Sequence, residues 1–116
     1  MSFNTKRVLI ATTMITTLCG ATPTPAAAQD AKKGAEVYTA QKCQTCHAIA
    51  GKGGKASPLD GVGAKLKADE IREWITHPKE AAAKAKSTKK PPMPAKYGSL
   101  PAADLDALVA YMQSLK

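Results

Sequence analysis

The feature that most constrains this chain is the run Cys43-Gln44-Thr45-Cys46-His47, which fits the pattern C-x-x-C-H. This pattern marks covalent attachment of haem c, in which each thiol adds to one vinyl group of the porphyrin and forms a thioether. Two intervening residues let one helical turn present both sulfur atoms on the same side. The imidazole of His47 follows immediately, so the motif predicts that it binds the haem iron as the proximal ligand.

Two other chemistries use a C-x-x-C pair. A dithiol redox motif needs a thioredoxin-like βαβ context, and no strand pattern flanks the motif here. A structural zinc site needs about four ligands. Residues 29–116 contain two cysteines and two histidines, and His77 lies in a different segment from His47. The sequence therefore favours haem c over both alternatives.

The first residues have the pattern of an export signal. Two basic residues precede an apolar run at 8–18, and an alanine triplet at 26–28 offers the small side chains that a signal peptidase reads. The run is shorter than the about 20 residues that a helix needs to cross a bilayer, although an uncleaved N-terminal anchor is the alternative. We predict a cleaved signal peptide at 1–28, which removes Cys19, one domain at 29–116, and a periplasmic location.

The composition of the predicted domain requires an apolar group besides the side chains. Leu, Ile, Val and Phe make up about 14% of residues 29–116, and loss of the two basic leader residues lowers the formal net charge from +8 to +6. Such a composition is typical of a disordered chain, yet helical patterns are present. A buried porphyrin supplies the missing apolar surface. We therefore predict that the chain without haem lacks a stable fold.

The predicted domain contains two methionines that are candidates for the sixth iron ligand, Met93 and Met112. Met112 ends an i, i+3, i+4, i+7 apolar stripe that starts at Leu105, which indicates a helix core. Met93 lies in a Pro-Pro-Met-Pro run, where restricted backbone angles lower the entropy lost when the loop holds a ligand. We predict Met93 as the sixth ligand, with a soft thioether that raises the reduction potential. The alternatives are a Met93 that only packs on the haem edge, and His77 as the ligand.

Local signals predict where the helices begin and end. Asp30 is a candidate N-cap of the first helix, and Pro101 belongs in the first turn of the last one. Ile71 and Ile75 have the spacing of a buried helix face, and Pro78 is predicted to end that helix.

The order of these segments resembles the small class I cytochromes c of bacteria over essentially all of residues 29–116. The matching pieces are a first amphipathic helix leading into the C-x-x-C-H run, then Pro58-Leu59-Asp60-Gly61, a middle helix around 71–75, the Met93 loop, and a last helix ending at 108–112. The resemblance implies an all-α class I cytochrome c fold, with three to five short helices wrapped around one covalently bound haem.

The resemblance also implies roles for single residues. The carbonyl of Pro58 would accept a hydrogen bond from the Nδ1–H of His47 and orient the imidazole. Trp74 matches a position that often faces a haem propionate, although it could equally be the core anchor of its helix. The family packs its first helix across its last through a small residue and aromatic side chains, and the matching positions are Gly34, Tyr38, Leu108 and Tyr111.

Lysines are concentrated around the two predicted haem-binding segments. Those flanking the Met93 loop are Lys79, Lys84, Lys86, Lys89, Lys90 and Lys96, and Lys52 and Lys55 follow the motif. In the expected fold they form a positive surface at the haem edge that steers an acidic redox partner. Alternatively, they keep a solvated loop at 81–90 soluble. Few aromatics argue against nucleic acid, and we expect no stable membrane association and a monomer or weak dimer.

The resemblance implies a periplasmic one-electron carrier whose haem iron is bound by both His47 and Met93, so that no coordination position stays open. No nucleophile–base pair or paired carboxylate stands out, so no catalytic residue is predicted. One alternative is a dedicated cytochrome subunit of an oxidoreductase complex. The other is a haem sensor or peroxidase, which needs an open iron position.

Overall fold

The computed structural model describes residues 26–116, and most of the predicted signal peptide lies outside the described residues. Within 26–116 the chain forms five α-helices and one two-stranded hairpin. In order these are α1 (Ala26–Ala40), a 3-10 turn (Cys43–Thr45), β1 (Ala48–Ile49), β2 (Lys52–Gly53), α2 (Val62–Lys65), α3 (Ala68–Thr76), α4 (Pro78–Lys84), a second 3-10 segment (Ala95–Ser99) and α5 (Ala102–Ser114). The predicted all-α class is confirmed, and none of these helices has the length and apolar character needed to span a membrane.

The core forms where α1 crosses α5, as predicted. A Cβ added to Gly34 would lie 2.0 Å from the backbone oxygen of Ala107, so the two helices meet backbone to backbone at this position. Beside it, the rings of Tyr38 and Tyr111 pack edge to face, with centroids 5.8 Å apart. The buried side chains of Val37, Leu105, Leu108, Val109 and Met112 complete this part of the core.

Replacing Gly34 with alanine is expected to destabilise the protein. Helix propensity alone favours alanine over glycine by about 1 kcal/mol. The close approach to α5 opposes this gain, and we expect a net loss of about 1–3 kcal/mol in the free energy of unfolding, measured by denaturant titration. The control is Glu36→Ala, at an exposed position of α1. Greater stability of Gly34→Ala would contradict the close packing.

The middle of the chain forms α3, and the face of this helix that was predicted to be buried is buried. Ile71 and Ile75 are both buried. The backbone N–H of Lys67 donates to Glu70 Oε2 at 2.7 Å, which satisfies a donor just before the helix begins. Pro78 follows the end of α3, as predicted, but it also begins α4, which extends to Lys84 and so into the predicted loop at 81–90. Proline suits a first helical position because its missing N–H has no partner there.

Two helix starts differ from the predictions. Asp30 lies inside α1 and is not its N-cap, since the helix begins at Ala26. The alanines before Asp30 have the highest helix propensity and extend the helix toward the N-terminus. Pro101 stands immediately before α5, where its carbonyl accepts the backbone N–H groups of Asp104 at 3.0 Å and Leu105 at 2.9 Å.

Candidate functional site

The C-x-x-C-H run begins on the 3-10 turn that follows α1. The backbone N–H groups of Cys46 and His47 both donate to the carbonyl of Cys43, at 3.2 and 3.0 Å. This tight turn brings the three residues together. Both cysteines are free thiols and are half-buried, so they are accessible to a group that packs against the core. The two thiols and the imidazole that haem c attachment requires therefore lie on one compact turn.

The imidazole of His47 is oriented by a backbone carbonyl. Its Nδ1 lies 2.8 Å from the carbonyl oxygen of Ser57. Because a carbonyl can only accept, Nδ1 carries the proton and donates it. In the neutral ring Nε2 then keeps its lone pair. This is the tautomer of a metal-ligating histidine whose other nitrogen is held by the protein.

The predicted acceptor was the carbonyl of Pro58, and that prediction is wrong by one residue. The Ser57 N–H donates to the Cys46 carbonyl at 3.3 Å, and the Leu59 N–H donates to the Ala48 carbonyl at 2.8 Å. Ser57 and Leu59 therefore both bond to the segment that contains the motif, whereas Pro58, between them, is exposed and has no N–H to donate.

Two adjacent glycines pack directly on the backbone of the motif. The N–H of Gly54 donates to the carbonyl of Gln44 at 2.8 Å. A Cβ at Gly53 would lie 2.2 Å from the His47 oxygen, and one at Gly54 would lie 2.3 Å from the Thr45 oxygen. Neither glycine is among the predicted site residues, although glycines soon after the motif indicate that another backbone approaches it.

Tyr38 links the core of α1 to the motif. Its hydroxyl donates to the backbone carbonyl of His47 at 3.1 Å. Burial, with smaller contributions from Cys43 and Tyr111, raises the pKa of Tyr38 to about 12. The phenol therefore stays protonated through the neutral range and remains a donor to this carbonyl.

Met93 lies in the loop between α4 and the second 3-10 segment. It is half-buried and packs against the same core cluster as Cys43. Lys96, three residues further on, is close enough to affect the Cys43 thiol. Burial raises the pKa of that thiol, and the positive charge of Lys96 acts in the opposite direction. The loop thus returns to the side of the core that carries the motif, and iron ligation by Met93 stays a prediction.

The other two candidate residues lie on or beside α3. Trp74 is half-buried between the buried residues of this helix, and its contact with a propionate stays a prediction. His77 is exposed at the junction of α3 and α4, the helix end where it was expected. The Thr76 hydroxyl donates to the Arg72 carbonyl at 2.9 Å and so accepts from Nδ1 of His77 at 2.8 Å.

The residues present fit a haem c group. Among residues 26–116 no large side chain is fully buried, and the core cluster is bordered by half-buried apolar residues that include Cys43, Leu59 and Met93. A large apolar group packed there would remove this surface from water. Two thiols and an oriented imidazole meet the chemical requirements of covalent haem. A zinc site is not supported, since this part of the chain has no group of three His, Cys, Asp or Glu placed to hold a metal.

The comparisons with known proteins point to one family. A sequence model described as Cytochrome c matches residues 31–116. This match contains the C-x-x-C-H run, the Ser57 carbonyl that orients His47, the Met93 loop and α5. The search of curated proteins and the search of solved structures each gave no match.

Proposed function

Because this chain belongs to the cytochrome c family, we propose that it is an exported one-electron carrier whose iron is closed by His47 and Met93. The family carries covalent haem c and transfers electrons, and the spacing of Cys43 and Cys46 fits the two thioether bonds. The observation that carries the proposal is the hydrogen bond from His47 Nδ1 to the Ser57 carbonyl. It leaves Nε2 free to ligate iron, and the export pattern at 1–28 supports a periplasmic location.

Each residue of the site has a separate role in this proposal. Cys43 and Cys46 would hold the porphyrin through thioether bonds, and His47 and Met93 would bind the iron. When bound, the haem supplies the one-electron couple. The prolines beside Met93 restrict its loop, so the side chain would need little rearrangement when the iron changes oxidation state. A thioether ligand from Met93 would also favour the reduced state of the iron.

The proposal is tested on the exported, purified protein. We expect a reversible redox titration with one-electron behaviour, that is about 59 mV per tenfold change in the ratio of the two forms. We also expect no rapid binding of carbon monoxide to the reduced protein, because both axial positions are filled. Rapid binding would instead support an open-site sensor or peroxidase. Co-purification with an oxidoreductase in a fixed ratio would support a dedicated subunit.

The lysines around the Met93 loop support an acidic redox partner. The six lysines that flank the Met93 loop and the two that follow the C-x-x-C-H run are all exposed. Lys84 is ion-paired with Glu73, which reduces its contribution to a docking surface. Lys96 lies three residues after Met93, and its ammonium group is 5.1 Å from the ring centre of Tyr97, which packs against the same core cluster as Cys43 and Met93. We infer that the positive charge lies beside the haem edge and attracts negatively charged partners.

Reversing the charge of Lys89 and Lys90 together is expected to slow electron transfer to an anion. We expect oxidation of the reduced protein by ferricyanide to slow roughly tenfold at low ionic strength, and the difference to shrink as salt screens the charges. Oxidation by a cationic cobalt complex should become faster. The control is Lys32→Glu together with Lys65→Glu, which changes the net charge equally at two exposed lysines outside both groups. Equal slowing by the control pair would contradict a local docking surface.

A further inference from the structure

We propose that Asp60 is a positioning residue for His47, acting through the loop that carries the Ser57 carbonyl. This inference rests on the proposed function, since it takes His47 as an iron ligand. The side chain of Asp60 is exposed, and its Oδ1 accepts the backbone N–H of Ala50 at 2.7 Å. A hydrogen bond to a charged acceptor at this distance is stronger than one between neutral groups.

The bond to Asp60 is the last of a series of hydrogen bonds that joins residues 46–50 to the loop at 57–60, and we call this series the ladder. In chain order, Cys46 accepts from the Ser57 N–H and Ala48 accepts from the Leu59 N–H. The next alternate residue, Ala50, donates to the carboxylate of Asp60. Within the same ladder, the imidazole of His47 donates to the Ser57 carbonyl. The Asp60 side chain therefore takes the place of a backbone partner at the end of the ladder.

Ala50 needs such a partner because of the turn in which it lies. β1 and β2 pair through Ala48 with Gly53 and through Ile49 with Lys52, which leaves Ala50 and Gly51 as a two-residue turn. Ala50 has φ +51°, a left-handed conformation that is unfavourable for alanine. Its N–H points out of the hairpin, and the carboxylate of Asp60 both satisfies this donor and holds the turn against the loop.

The consequence for the iron follows from the hydrogen bond at Nδ1. A firm bond from Nδ1–H to a carbonyl raises the basicity of the imidazole, which favours the oxidised iron. Asp60 joins the hairpin turn at Ala50 to a position only three residues after Ser57 in the chain. Without this anchor, the loop would have more freedom, and the Ser57 carbonyl would be held less firmly against the ring.

A charge effect must be separated from a hydrogen-bond effect. Among the described residues Asp60 takes part in no ion pair within 4 Å, so its contact with Ala50 is its main structural role. Its negative charge near the haem would by itself favour the oxidised state. Asp60→Asn keeps an acceptor oxygen and removes the charge. Asp60→Glu keeps the charge and displaces the carboxylate by one methylene, and Asp60→Ala removes both.

The test measures exchange of the His47 Nδ1–H with solvent deuterium by NMR of the reduced, haem-loaded protein. We expect at least about tenfold faster exchange in Asp60→Ala. This variant loses the hydrogen bond from the Ala50 N–H to a charged carboxylate, and a bond of that kind stabilises the closed loop by at least a factor of about ten. Asp60→Asn should stay within about twofold of the parent, and Asp60→Glu should exchange faster than Asp60→Asn. The midpoint potential should rise more in Asp60→Ala than in Asp60→Asn. Glu36→Ala, which removes an exposed acid on α1, is the control.

The outcomes separate this inference from the function on which it rests. Unchanged Nδ1–H exchange in Asp60→Ala, with a potential equal to that of Asp60→Asn, would overturn the positioning role and leave only the charge. If Asp60→Ala does not fold, the order of exchange rates in Asp60→Asn and Asp60→Glu decides the question. A parent protein without an iron-bound His47 ring would instead refute the proposed ligation, whatever the Asp60 variants show.

Discussion

A chain in which serine replaces both Cys43 and Cys46 is expected to lose its cooperative fold. Serine hydroxyls do not form the thioethers, so the haem is not held covalently. Without it the apolar side chains at the edge of the core, Leu59 and Met93 among them, have no partner to cover them. The domain contains too little Leu, Ile, Val and Phe to replace that contact. The expected loss is the whole free energy of unfolding, typically about 5–15 kcal/mol for a domain.

The measurement is far-UV circular dichroism with thermal unfolding of the exported protein. We expect reduced helix content and no sharp transition in the double variant. Gln44→Ala is the matched control, because Gln44 is exposed between the two cysteines and both thiols remain. A sharp transition with parental helix content in the haem-free variant would show that the five helices are stable without the cofactor.

Replacing Met93 with alanine is expected to open the iron without unfolding the protein. Met93 is half-buried in a loop, so truncation costs less packing than it would in the core. Loss of the thioether should remove the weak long-wavelength band of the oxidised protein and allow the reduced protein to bind carbon monoxide. The reduction potential should fall by on the order of 100 mV, since a soft axial thioether favours the reduced iron.

Met112→Leu is the control for this prediction. Met112 is buried in α5, and a swap of similar volume typically costs under about 1.5 kcal/mol. We expect this variant to keep the long-wavelength band, the potential and the closed iron. Persistence of the band in Met93→Ala would show that Met93 only packs on the haem edge. His77→Ala would then test the remaining histidine, although the structure places it, exposed, at the end of α3.

The features that the sequence predicted correctly depend on residues a few positions apart. The buried face of α3 follows from the spacing of Ile71 and Ile75, because four residues make about one helical turn. The compact turn of the C-x-x-C-H run has the same local origin. The match between Gly34 on α1 and the last helix came from the resemblance, and the close approach to Ala107 confirms it.

The missed helix and the wrong N-cap had local signals that conflict with one another. Pro78 both ends α3 and begins α4, and only the first role was predicted. The alanines after it have high helix propensity, but the lysines that follow are equally typical of a solvated loop. Asp30 is a good N-cap residue, yet the alanines before it extend α1. In both cases neighbouring residues support two different boundaries.

By itself, the sequence determined the covalent chemistry of the motif and the buried faces of the helices, because covalent spacing and helical period are properties of one short segment. Only the tertiary structure decided that Ser57, and not Pro58, orients His47. It also decided that Asp60 holds Ala50. Both contacts depend on the register between two segments ten residues apart. A shift of one residue in an extended segment turns the opposite set of groups toward its partner.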